Sequence, residues 1–210
     1  MADAVRLAEL VCARFSHDLS GLLGSLCGVL ELLAEQPGET PEEVTLAVET
    51  ATEMMDRLRL LRAAWGGVSE PLNPAGLRRL GGAVLESRRI RLDLDGIAAE
   101  TVLPAPAARL VLNVLLLAAE ALPRGGVVAL SGDPATRMVA QIAGVGAAWP
   151  AGLALCLADE AHAWSALGSP RTLQPPLTAL LASAAGLRLS LLLSAGAGPA
   201  GPPPMVMMPR

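Results

Sequence analysis

Ala13-Arg14-Phe15-Ser16-His17-Asp18-Leu19-Ser20-Gly21 is the stretch on which the fold turns. It lies inside a longer pattern in which apolar or small residues recur at Ala8, Cys12, Phe15, Leu19, Leu22, Leu26, Val29 and Leu33. Steps alternating between four and three describe the seam of a helix packed in a bundle. His17 falls on the opposite side of that helix, so core filling does not explain it. Free imidazole titrates near ~6.5 and keeps a nucleophilic ring nitrogen available at neutral pH. Asp18, next to it, can orient the ring or take up its proton.

Outward from this stretch the first third reads as a helical hairpin. Helix one is predicted from Ala4 to Glu35, followed by a turn over Gln36 to Thr40. Thr40-Pro41-Glu42-Glu43 is a helix start, with a capping threonine, proline in the first helical position and a glutamate to close the box. Helix two carries Val44, Val48, Ala51, Met55, Leu58 and Trp65 at bundle spacing. Each helix spans roughly 36–48 Å at ~1.5 Å per residue. One hairpin of that length buries too little surface, so residues 1–67 are predicted to form a four-helix bundle in a homodimer.

Residues 68–74 read as a linker, with Pro71 and Pro74 in it. Beyond it the pattern mixes helix and strand. Helices are predicted over Ala75 to Ser87, Ala105 to Leu122, Gly152 to Ala163 and Pro176 to Ala184. Strands are predicted at Ile90 to Leu94, Val127 to Leu130, Met138 to Ala143, Leu187 to Leu193 and Met205 to Met208. That order gives an α+β sandwich over residues 75–210, one sheet covered on one face by helices.

Composition narrows the functional classes. The chain is 52% apolar, with one Phe, three Trp and no Tyr, so Leu, Ala and Val build the core. Its net charge of −4 and lack of a basic block argue against nucleic acid. No apolar run reaches the ~20 residues of a membrane span. No signal-peptide pattern opens the sequence, and the expected location is the cytoplasm. Cys12, Cys27 and Cys156 form no C-x-x-C pair and read as free thiols. His162, near Asp159 and Glu160, reads as a surface residue rather than part of a metal cluster.

Phe15-Ser16-His17-Asp18-Leu19 resembles the phosphoacceptor box of bacterial sensor histidine kinases. Leu110 to Glu120, followed by Gly125-Gly126, is similar to the N box of their ATP-binding domain. Leu177 to Gly186 and the strand after it resemble that domain's last helix and strand. The departures are equally specific. The second Asn of the N box, which holds Mg²⁺ in the kinases, is Leu117 here. The Asp that reads adenine is replaced by Ile142, ahead of Gly144-Val145-Gly146. The second glycine-rich box has no counterpart between Trp149 and Pro176.

A phosphoacceptor hairpin joined to a degenerate kinase domain resembles the alphaproteobacterial histidine phosphotransferases of the ChpT type. Leu115 to Gly126 looks much like that family. The resemblance implies a histidine-kinase-ATPase-like fold without a working ATP site, and a dimeric phosphorelay enzyme. Phosphoryl groups would pass through His17 between aspartates of response-regulator receiver domains, including a hybrid kinase's receiver. Asp18 would support the histidine. The chain would bind no cofactor or metal of its own, with Mg²⁺ coming from the receiver.

Around His17 the helix carries Ser20, Gly21, Gly24, Ser25 and Gly28. Glycine costs ~1 kcal/mol against alanine inside a helix, so three within residues 21–28 call for a reason. Either they allow close packing in the bundle, or they leave a groove for a receiver. The second reading makes these five residues a docking surface, joined by Met54 and Arg57 of helix two. Two alternatives stand beside the transferase: an active kinase with a divergent ATP site, and a non-enzymatic adaptor for response regulators.

Overall fold

The computed structural model describes residues 2–35, 41–66, 70–192 and 201–210. Helices α1 (Ala2–Glu35) and α2 (Pro41–Trp65) form the antiparallel hairpin. The predicted turn and the Thr40 cap lie outside the described residues. Phe15, Leu19, Leu22, Leu26, Val29 and Leu33 are half-buried, as a seam should be. Ala8 and Cys12 depart from the predicted seam and are exposed. Near the start of α1 the larger Leu7, Leu10 and Val11 pack instead against Leu173, Leu177 and Leu180 of the second domain. That domain, together with Trp65 at the end of α2, covers the beginning of α1. Among the described residues, none of α1 and none of α2 before Leu60 is buried.

The end of α2 behaves differently. Leu60, Leu61 and Ala64 are buried, and Leu60 and Ala64 belong to the main core of the C-terminal domain. The described part of the predicted linker is fastened to the fold. Leu72 and Leu103 exchange backbone hydrogen bonds of 3.1 and 2.8 Å. The Asn73 carboxamide oxygen accepts from the Gly76 amide at 2.8 Å and caps α3 (Pro74–Leu77), where Pro74 takes the early position that needs no N–H.

The helix predicted over residues 75–87 is present but not uniform. Between α3 and α4 (Ala83–Glu86) it widens into a π turn, Arg78–Gly82. Gly81 in that turn lies against α5 (Ala105–Ala121). A Cβ there would come within 2.8 Å of Leu115 Cδ1.

The sheet has the order β1-β2-β3-β5-β4. Its strands are β1 (Ile90–Gly96), β2 (Gly126–Asp133), β3 (Arg137–Ala143), β4 (Leu187–Leu191) and β5 (Met205–Pro209). β1 and β2 run parallel; the other neighbours are antiparallel. Ile90, Leu92 and Leu94 on β1, and Met138, Ala140 and Ile142 on β3, alternate buried with more exposed residues. That period of two directs one face of the sheet into the core. α5 lies in that core, with Leu110, Leu112, Leu115 and Leu117 each almost wholly buried.

The helix predicted over residues 152–163 is two helices, α6 (Leu153–Ala158) and α7 (Glu160–Ser165). Asp159 breaks it. Its backbone is extended and its carboxylate accepts from the Ala161 amide at 3.0 Å, restarting the helix as an N-cap. A short 3₁₀ turn (Pro170–Thr172) leads into α8 (Gln174–Ala184). β4 ends at Leu191, short of the predicted Leu193, which lies outside the described residues.

Candidate functional site

One turn of α1 supplies Arg14, His17 and Asp18 to the same small region. The Arg14–Asp18 pair follows from helix geometry, since residues four apart are neighbours on one face. Arg14 Nε donates to both Asp18 carboxylate oxygens at 3.1 Å. Its other nitrogens cross to the C-terminal domain. Nη1 donates to the Pro170 carbonyl at 3.0 Å and Nη2 to Glu120 Oε1 at 2.9 Å. Arg57, from α2, donates to Asp18 Oδ2 at 3.3 Å. Asp18 therefore sits between two guanidinium groups and joins both helices of the hairpin.

His17 has a different environment. Its side chain is 66% exposed, against 9% for Asp18. Nδ1 lies 3.4 Å from Asp18 Oδ1, the only polar side-chain contact of the imidazole among the described residues. When Nδ1 carries the proton toward that carboxylate, the lone pair is on Nε2.

The charges in this group shift in opposite directions. Burial raises the Asp18 pKa, but the Arg14 and Arg57 cations and the hydrogen bonds outweigh it, leaving a net lowering. Burial disfavours the charged form of Arg14, yet Asp18 and Glu120 hold its pKa above the ordinary value. Glu120 goes the other way. Burial raises its pKa more than the Arg14 cation lowers it. The Arg14–Asp18 pair is thus the firmly ionised part of the network, and Glu120 is its weaker member.

An open cleft of about 920 Å³ separates this part of α1 from the C-terminal domain. His17, Arg14 and Asp18 line one side; Arg88, Glu120 and Arg171 line the other. A second cleft, of about 880 Å³, includes Ile142, Gly144, Trp149, Leu153 and Pro203. It contains no charged side chain among the described residues. Trp149 Nε1 donates to the Pro203 carbonyl across it at 2.8 Å.

Asn113, which the sequence places in an N box, is wholly buried. Its Nδ2 donates to the carbonyls of Ala64 at 3.0 Å and Arg109 at 2.9 Å. Its Oδ1 accepts from Trp65 Nε1 at 3.1 Å and Gln174 Nε2 at 3.0 Å. Two donors and two acceptor positions are all in use. The side chain joins α2, α5 and α8. Leu117 and Ile142 are both buried and apolar. No group of three or more potential His, Cys, Asp or Glu metal ligands occurs among the described residues.

The other sequence-derived candidates are only partly brought together. A Cβ on Gly21, Gly24 or Gly28 would meet nothing within 4 Å, so none is a packing glycine within this chain. Ser20 and Ser25 are exposed, with their hydroxyls donating back to the Ser16 and Gly21 carbonyls of their own helix. Met54 is half-buried. Arg57 departs from its place in the predicted docking surface. Its side chain is 11% exposed and is taken up by Asp18, because the antiparallel hairpin sets it opposite that carboxylate. Asp18 likewise belongs more to the two arginines than to the imidazole.

Sequence reasoning missed Arg14, Arg88, Glu120 and Arg171. Only the first left a local signal, the spacing of four to Asp18.

The chain is similar to known proteins over most of its length. Residues 75–196 match a family model described as "Histidine phosphotransferase C-terminal domain". A curated relative from Brucella abortus (strain 2308), named "Protein phosphotransferase ChpT", is 27% identical over 198 residues, covering 90% of this chain and 91% of its own length. A solved bacterial phosphotransferase superposes with a TM-score of 0.73 and 26% identity, over 97% of this chain and 95% of that one. Among the described residues, no helix is long and apolar enough to cross a membrane.

Proposed function

Because this chain belongs to the histidine phosphotransferase family defined by that C-terminal domain, we propose that His17 is its phosphoacceptor in a two-component phosphorelay. The observation that carries the assignment is the contrast at the cleft. His17 is open to an incoming partner while Asp18 beside it is held by Arg14 and Arg57.

The chemistry is a pair of matched displacements. The Nε2 lone pair attacks the phosphorus of a receiver's aspartyl phosphate. The N–P bond forms, the O–P bond breaks, and the aspartate leaves as a carboxylate. The imidazole now carries its positive charge next to Asp18, toward which Nδ1–H points. In the second displacement a carboxylate oxygen of another receiver attacks phosphorus and the N–P bond breaks. A divalent cation at the transferring phosphoryl would come from the receiver. A hybrid kinase's receiver would serve as one donor.

A second copy of this chain would complete the hairpin. Leu23, Leu30 and Leu46 are each 50% exposed and Val48 is 60% exposed, in helices of 34 and 25 residues. Two such hairpins together supply the closed apolar centre that one lacks. Residues 1–67 would then be the dimerising and phosphoaccepting unit, and residues 75–210 a scaffold without nucleotide chemistry, working in the cytoplasm with its receivers.

The test is incubation with ³²P-labelled phosphorylated receivers and Mg²⁺. Label is expected on the wild-type chain and absent from a folded His17→Gln variant. Label on both would remove His17 from the role. Label taken directly from ATP would favour a kinase, and receiver binding without label would favour an adaptor.

A further inference from the structure

We propose that Arg88 is the residue that holds the phosphoryl group while His17 carries it; the assignment rests on His17 being the phosphoacceptor. A phosphoryl group brings close to two negative charges at neutral pH. A cation in the cleft that meets that charge stabilises phosphohistidine. Three arginines and two carboxylates line the cleft. Arg14 is not available, because its guanidinium is committed to Asp18, Glu120 and the Pro170 carbonyl. Arg57, behind the cleft, is committed to Asp18.

Arg88 is different. It is exposed, and its side chain makes no hydrogen bond or ion pair among the described residues. It still lies within the field of the His17 surroundings. Desolvation and the Arg57 cation depress its pKa, while Asp18 and Glu120 act in the opposite direction. The guanidinium stays charged at neutral pH throughout.

Its backbone is also fixed. The Arg88 amide donates to the Leu85 carbonyl at 3.0 Å, ending α4. Arg89, the next residue, has a φ of 61°, and its carbonyl accepts from the Gly126 amide at 3.1 Å at the start of β2. Gly125 packs on that same carbonyl, where a side chain would not fit. The arginine thus stands on a rigid corner of the sheet with a free planar fork facing the cleft. Such a fork matches two phosphoryl oxygens at once, which the point charge of a lysine does not.

The experiment compares full-length wild type, Arg88→Ala, Arg88→Lys and Arg171→Ala, each first checked for an unchanged melting temperature. A phosphorylated receiver is mixed with each, and the ratio of phospho-His17 to phospho-receiver is read at equilibrium. That ratio reports the stability of the free phosphorylated species, so a docking defect alone leaves it unmoved. Arg88→Ala is expected to shift it toward the receiver by about tenfold or more, the loss of a charged hydrogen-bonding pair. Arg88→Lys should recover part of the shift, and Arg171→Ala should move it less.

Phosphoramidate provides a second measurement where transfer is too slow to equilibrate. Its P–N bond breaks as the imidazole N–P bond forms, and the ammonium end of the phosphoramidate zwitterion departs as ammonia, leaving the ring charged with its Nδ1–H still toward Asp18. Loading of Arg88→Ala from this donor is expected to be slower by a similar factor. An unchanged ratio together with unchanged phosphoramidate loading would overturn the role of Arg88 while leaving His17 as the acceptor. An equal or larger effect from Arg171→Ala would also overturn it. Failure of wild type to accept phosphate from either donor would remove the acceptor itself, and Arg88's role with it.

Discussion

The hairpin and the C-terminal domain are built to different degrees of completeness. The C-terminal domain closes its own core: Leu110, Leu112, Leu115 and Leu117 on α5 are each at most 1% exposed. Along α1, and along α2 up to Arg59, no described residue is buried. The C-terminal domain has its closed centre within one chain, although Val102, Val145 and Leu155 remain exposed on its surface. The two long helices leave Leu23, Leu30, Leu46 and Val48 in water without any buried centre of their own, the face on which a second copy is proposed. His17 sits where the two regimes meet, on the incomplete element but beside the complete one.

That comparison is open to direct attack. The largest expected effect comes from truncating each region at a leucine. Leu115→Ala removes a fully buried side chain and should cost about 2–5 kcal/mol, independently of protein concentration. Leu30→Glu places a charge on the exposed hairpin face. It should leave the C-terminal core intact while converting a dimer into a monomer, seen by sedimentation and as a loss of the concentration dependence of Tm. A Leu30→Glu chain that melts and sediments as the wild type does would show that the exposed leucines meet no second copy.

Gly24→Leu is expected to act on function alone. The space beyond Gly24 is empty within the chain, and replacing glycine gains up to ~1 kcal/mol in helix propensity. The proposed dimer should persist. Phosphoryl transfer should fall by roughly 10²-fold, because a branched side chain would displace an incoming receiver from the in-line geometry it needs. Unchanged transfer would place docking elsewhere; a lost dimer would make Gly24 a packing glycine between copies.

The smallest effect is electrostatic. The folded pKa of Asp18 is lowered, so its contribution to stability is present above the unfolded value near 3.8 and is lost as the pH falls through the lower, folded value. The folded pKa of Glu120 is raised, so its ionised form works against the fold at neutral pH, and protonation relieves this on the way down toward 4.5. Glu120→Gln should therefore melt at or slightly above the wild type near pH 7, by less than about 1 kcal/mol. The two curves should merge near pH 4. A variant markedly less stable at pH 7 would show that the Arg14 contact outweighs the burial of Glu120.

The sequence was most readable where the periodicity is long. Both hairpin helices, α5, and the alternating strands β1 and β3 stand close to where spacing alone puts them. So does the exposure of His17. The π turn at Arg78–Gly82 was hidden; its Gly81 lies against Leu115, a neighbour from a different part of the chain that no local pattern announces. The break at Asp159 was readable in principle, as aspartate is a strong N-cap. The residues around the histidine were the least accessible. Glu120 and Pro170 are 106 and 156 positions from Arg14, and nothing local announces contacts of that range. Asp18 was found for its nearness to the imidazole, whereas its strongest contacts are with arginines.

Asn113 carries a consequence for how such a chain can change. Its amide is spent as a fastening, with every hydrogen-bonding position occupied by Ala64, Trp65, Arg109 or Gln174. Replacing Leu117 by asparagine would restore the letters of an N box without restoring its chemistry. To serve a metal, Asn113 would have to abandon the indole and the carbonyl that tie α2 to α5, leaving buried polar groups unpaired. An Asn113 freed to hold a metal would come with a loosened junction between α2, α5 and α8. The side chain that keeps hairpin and sheet in register cannot serve a second purpose without giving up the first.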